Sequence, residues 1–90
     1  MNENIQHISE YLAQNRDADK IYLFLEQLLT PTELRNVALR WQLSKMLQDG
    51  LSQRKIASEL HVSLCKITRG SKELKKEHSV LKEAILLNNN

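Results

Sequence analysis

The sequence predicts an all-α protein of six short helices. Three observations carry this. Only two glycines and one proline occur in 90 residues, so few points can turn a hairpin. No Asn-Gly or Asp-Gly pair is present, and no stretch alternates apolar and polar residues with period two. Apolar residues recur instead at helical spacing, in runs bounded by residues able to cap a helix.

Ile5, Ile8 and Leu12 mark the first helix. The polar run Asn15 to Asp19 ends it, and Asp17 or Asp19 can cap a second helix carrying Ile21, Tyr22, Phe24, Leu25, Leu28 and Leu29. The third helix has the strongest start signal. Thr30 stands at the N-cap, Pro31 at the first helical position and Glu33 three residues after the cap, so hydroxyl and carboxylate can each satisfy a free backbone N–H. Gly50 supplies the stop, because glycine takes a positive φ at little cost. Between these ends, Leu34, Val37, Ala38 and Trp41 form one apolar stripe, and Leu39, Leu43, Met46 and Leu47 form another. A helix that is apolar on two sides is packed from more than one direction. In so short a chain this predicts that a second subunit supplies part of the cover, with Trp41 in the core or the dimer packing.

Ser52 can cap a short fourth helix, Gln53 to Leu60, with Leu51 and Ile56 at the two positions of a hydrophobic staple. A three-residue turn, His61 to Ser63, follows. Ser63 can cap the fifth helix, and Val62 with Ile67 repeats the staple. Two short helices joined by so tight a turn form a helix-turn-helix. Ile56, Leu60, Val62 and Ile67 hold it together, Ala57 is small where the helices cross, and Leu74 continues the buried side. The turn position that usually takes glycine is His61, one of the few side chains enriched at positive φ. Val80, Leu81, Ala84 and Ile85 mark a terminal amphipathic helix, and Asn88 to Asn90 are expected to fray. The chain is read as one domain, 1–90, with dimerisation helices over 1–50, the helix-turn-helix over 51–75 and the last helix over 77–88.

A formal charge of +2 conceals an asymmetry. Residues Ser52 to Lys76 hold seven bases against two acids, while the rest of the chain holds six bases against nine acids. A concentrated basic patch is the footprint of a polyanion partner. In a DNA-binding reading the second helix of the motif enters the major groove. Leu64 and Cys65 then meet thymine methyls, Thr68 meets a base or a phosphate, and Arg69 or Lys72 reads guanine or holds phosphate, with Lys66 on the same outer face. Gln53 and Arg54 meet the flank, and Lys55, Lys75 and Lys76 hold the backbone.

Other chemistry is not expected. Cys65 is the only cysteine, which excludes an internal disulfide framework and suits a reducing cytoplasm. Cys65 and His61 lack a third, orienting group for nucleophilic catalysis. The three histidines are scattered without metal-ligand spacing, and no glycine-rich phosphate loop occurs. Apolar runs such as Ala84 to Leu87 fall far short of the ~20 residues of a membrane span, and Glu3 and Glu10 with no apolar stretch between them give no sign of a signal peptide. An enzyme is the least expected class.

From Leu29 to Leu74 the chain resembles the bacterial Trp repressor family. The resemblance lies in Leu29-Thr30-Pro31 with Glu33, in Arg40, in Ser52-Gln53-Arg54, and above all in Ile67-Thr68-Arg69-Gly70-Ser71. It implies an intertwined all-helical homodimer that binds a palindromic DNA operator, with L-tryptophan as corepressor. By position it implies that Arg40 and Arg69 sandwich the indole and that Arg69 also holds the carboxylate. Carbonyls near Leu29 and Thr30, partly from the other subunit, receive the ammonium, and Gly70 leaves room for the ring. Flat guanidinium groups suit this work, since they stack on aromatic faces and bond carboxylates. Lys66 and Glu73 depart from the family, which often has a threonine and a serine there. Glu73 can take the ligand's ammonium directly, or pair with Arg69 four residues before it on the helix. The second option leads to another reading: a DNA-binding protein of the same fold with no ligand or a different one. A third reading is a helical interaction module whose basic face meets an acidic protein.

Overall fold

A computed structural model describes residues 1–88. It contains six helices, α1 (Glu3–Gln14), α2 (Ala18–Leu28), α3 (Pro31–Gln48), α4 (Gln53–Leu60), α5 (Leu64–Lys75) and α6 (Val80–Asn88), and no strand among the described residues. The chain divides into two compact units, Met1–Arg35 and Asn36–Asn90, and the division falls inside α3. It falls there rather than at Gly50 because the C-terminal half of α3 supplies Leu43 to the core of α4 and α5. The fraying expected at Asn89 and Asn90 lies outside the described residues.

In the first unit each helix start has its cap. Asn2 Oδ1 accepts from the Ile5 N–H at 3.1 Å, and Asp17 Oδ1 accepts from the Asp19 and Lys20 N–H groups. Tyr11 and Phe24 pack with ring centroids 4.7 Å apart. No residue of α1 or α2 is fully buried, and Ile5, Tyr22, Leu23 and Leu28 stand 59, 68, 52 and 49% exposed. The expected box at the start of α3 is formed. The Thr30 N–H donates to Glu33 Oε1 at 2.9 Å, and the Glu33 N–H donates to Thr30 Oγ1 at 3.1 Å. The bonds to the Thr30 backbone, and then to its side chain, hold the Glu33 carboxyl below its ordinary pKa, against a smaller opposing effect of desolvation.

The core of the second unit is Leu43 of α3 against Ile56 of α4 and Ile67 of α5, flanked by Met46, Leu47, Leu51, Ala57, Leu60 and Val62. Both staples are therefore closed. Ile56 and Ile67 are fully buried, each stabilising the fold by roughly 1.5–3 kcal/mol. Ser52 Oγ accepts from the Lys55 N–H at 3.2 Å and caps α4. His61 takes the left-handed conformation (φ 55°, ψ 44°) that the turn requires. Gly50 has φ 93° with nothing within 4 Å of where a Cβ would lie, so conformation alone selects glycine there. Gly70 is the opposite case. A Cβ there would lie 2.7 Å from Leu43 Cδ1 and 3.5 Å from Leu47 Cδ1, so glycine is what lets α5 approach α3.

The structure corrects or completes four expectations. The last helix begins at Val80 rather than at 77, because His78 turns left-handed (φ 59°) and Ser79 Oγ caps the new start, accepting from the Lys82 N–H at 3.1 Å. Ser63 occupies the N-cap of α5 but its side chain makes no capping bond, so the staple and α4 packing define that start. Glu73 pairs with Lys76, three residues on at 3.0 Å, and not with Arg69. Of the two stripes on α3, one has Leu43 buried, whereas in the other Leu34 and Trp41 are half-buried and Val37 is 47% exposed.

Candidate nucleic-acid interface and ligand cleft

Burial of Ile67, Ser71 and Leu74 fixes the rotation of α5. The opposite side must then face water. Leu64, Cys65, Lys66, Arg69 and Lys72 are all exposed there, and Arg54 and Lys55 are exposed on the first turn of α4. Leu64, at 46% exposure, is an apolar side chain at the start of a basic helix with nothing covering it. Thr68 and Gln53 differ from the rest. Both are half-buried, and the Thr68 hydroxyl donates to Gln53 Oε1 at 3.0 Å. The fold thus brings the expected DNA-facing residues onto the two helices of the motif, except Lys76, which is the C-cap of α5, and ties two of them together.

Between α3, α5 and α6 lies a cleft of about 340 Å³, within the size range of small-ligand sites. Five of the residues expected at a ligand line it: Arg40 from α3, and Lys66, Arg69, Gly70 and Glu73 from α5. These α5 positions share the helix face next to the outer one. Among the described residues neither Arg40 nor Arg69 makes an ion pair. The Glu73–Lys76 pair is well exposed to solvent, and such pairs hold weakly. The remaining expected ligand residues, Leu29 and Thr30, belong to the first unit and do not line the cleft. Leu29 is the C-cap of α2, and the Thr30 carbonyl accepts the Leu34 N–H at 2.9 Å.

Sequence reasoning missed the apolar part of the cleft, Leu39, Leu43 and Leu81, and two polar residues, Asn36 and Ser44. Helical spacing held a signal for the α3 members, since Asn36, Arg40 and Ser44 lie at successive i, i+4 positions. The buried Ser44 hydroxyl donates to the Arg40 carbonyl at 2.7 Å and so has its partner within its own helix. Leu81 carried no such signal, because only the fold brings α6 to this place.

Fold and face together define a helix-turn-helix protein whose second helix is cationic on its outer face and also walls a cleft. The family model described as Trp repressor protein matches residues 3–88. The chain is 35% identical to a Trp operon repressor homolog of Vibrio parahaemolyticus over 83 residues, covering 91% of this chain and 81% of that one. It is 38% identical to a Trp operon repressor homolog of Xylella fastidiosa over 64 residues, 70% of each chain. A Trp operon repressor homolog of Vibrio cholerae is 33% identical over 81 residues, 89% of this chain and 79% of that one. No solved structure gives a significant match. The chain belongs to the Trp repressor family: it is a DNA-binding transcriptional repressor and not an enzyme.

Proposed function

We propose that the protein is a homodimeric repressor that binds a palindromic operator in the cytoplasm when a small amino-acid ligand, L-tryptophan by the family resemblance, occupies the cleft. One observation carries this reading. Lys66, Arg69, Gly70 and Glu73 line the cleft from the same helix that presents Leu64, Cys65 and Lys72 outward. A ligand seated there bears on the reading helix directly, so occupancy and DNA affinity are mechanically linked. A coupling of ~1–3 kcal/mol is a switch of roughly 5–150-fold.

The dimer is supported by the uncovered apolar side chains of the first unit and by Val37 on α3. A second copy is the simplest cover for them. Dimeric helix-turn-helix proteins, the Trp repressor among them, address half-sites ~34–36 Å apart, so the ligand's task is to hold two reading helices at that separation. For the ligand, the guanidinium groups of Arg40 and Arg69 suit an aromatic ring and a carboxylate, and Glu73, weakly held by Lys76, is available to an ammonium.

The test is duplex binding with and without L-tryptophan, beside calorimetry of tryptophan with the protein alone. Tightened binding and a saturable heat are expected. Unchanged affinity with no heat overturns the ligand. DNA affinity must fall steeply with salt, and affinity that ignores salt overturns the DNA interface.

A further inference from the structure

Among the described residues, one side-chain to side-chain hydrogen bond joins two different helices: Thr68 to Gln53, fifteen positions apart, at 3.0 Å. Core packing holds it in place. Gln53 is the first residue of α4, fixed by the Ser52 cap one position before it and by Ile56 one turn after it. Thr68 follows Ile67, so the rotation that buries Ile67 also aims the Thr68 hydroxyl at α4.

The direction of the bond sets what remains for a partner. A hydroxyl has one proton to give and lone pairs to receive, while a glutamine amide has an accepting oxygen and a donating NH₂. Thr68 has spent its proton on Gln53 Oε1. Its remaining capacity is to accept. Gln53 has engaged one lone pair of its oxygen, and its NH₂ can still donate. An unrestrained threonine bonds donors and acceptors alike and so discriminates poorly among bases. Held in this way, it discriminates.

We propose that Gln53 is a positioning residue for sequence readout, holding Thr68 as an acceptor so that the head favours a base presenting an exocyclic amine in the major groove. Adenine N6 and cytosine N4 are such donors, whereas guanine O6 and thymine O4 meet the lone pairs of Thr68 with their own. The inference rests on the DNA-binding reading above and adds to it the base chemistry at one half-site position.

The experiment selects from a pool of duplexes with a randomised centre, at fixed salt and with L-tryptophan present, using the wild type and the variants Gln53→Glu, Gln53→Leu and Thr68→Val. Thermal melting confirms that each variant is folded. The wild type is expected to enrich adenine or cytosine about fivefold at one position of each half-site, the worth of one hydrogen bond. Gln53→Glu retains an acceptor and keeps that preference. Gln53→Leu lets Thr68 donate and loses the preference while still binding the pool, and Thr68→Val also loses it. An unchanged preference in Gln53→Leu overturns the proposal, as does a preference lost equally in Gln53→Glu. A wild type that binds the pool without selecting any base overturns it and leaves DNA binding standing. A wild type that binds no duplex overturns both.

Discussion

Gly70→Ala sets two effects of known size against each other. In a helix interior, alanine is favoured over glycine by about 1 kcal/mol, since glycine has more backbone freedom to lose. The added Cβ would lie 2.7 Å from Leu43 Cδ1, well inside contact distance. Leu43 is only 2% exposed and packs with Ile56 and Ile67, so its methyl can yield only toward the cleft that it also lines. Overpacking of this kind costs roughly 1–3 kcal/mol. The net expectation is a destabilisation between zero and about 2 kcal/mol, at most a fall in Tm of about 10–15 °C for a domain of this size. Urea unfolding at one fixed protein concentration measures it, because a dimer's stability depends on concentration. The pair with Leu43→Ala is the sharper test. Leu43→Ala alone should cost about 2–5 kcal/mol through the cavity it leaves. In the double variant the alanine methyl enters that space, so the two costs should fall short of their sum by 0.5 kcal/mol or more. A stabilised Gly70→Ala, or strictly additive costs, refutes the close-approach account of this glycine.

Ser52→Ala should cost about 1 kcal/mol, the usual worth of an N-cap, whereas Ser63→Ala should cost little because no cap bond is there to lose; chemical denaturation of the two separates them. His61→Gly should hold stability level or raise it slightly, because glycine adopts φ 55° without strain, and His61→Val should lower it. Glu33 has a lowered carboxyl pKa in the fold, so its contribution is present above the ordinary glutamate value of 4.5 and is lost as pH falls through the lower folded value. Pairing wild type with Glu33→Gln in thermal melts from pH 7 to pH 3 should show the gap between them closing toward acid.

What was legible in the sequence was local. The Thr30–Glu33 box, the Ser52 cap, the staples and the positive φ of Gly50 and His61 all rest on residues within five positions of each other, and each formed. The outward set on α5 was legible too, because burial of Ile67 and Leu74 at helical spacing leaves one face for the rest. Choices among near neighbours were less so. Glu73 had cations at both i−4 and i+3, and spacing alone does not say that Lys76 is taken and Arg69 is not. Contacts across the chain were not legible at all. The Gln53–Thr68 bond and the place of Leu81 in the cleft follow from how α4 and α6 lie on α5.

No hydrogen bond or ion pair among the described residues joins α3 to α4 or α5; apolar side chains, Leu43, Met46 and Leu47 against Ile56, Ala57 and Ile67, make that seam. The Gln53–Thr68 bond ties the two helices of the pair to each other, while apolar packing seats them on α3. Whatever shifts α5 against α3 therefore carries α4 with it.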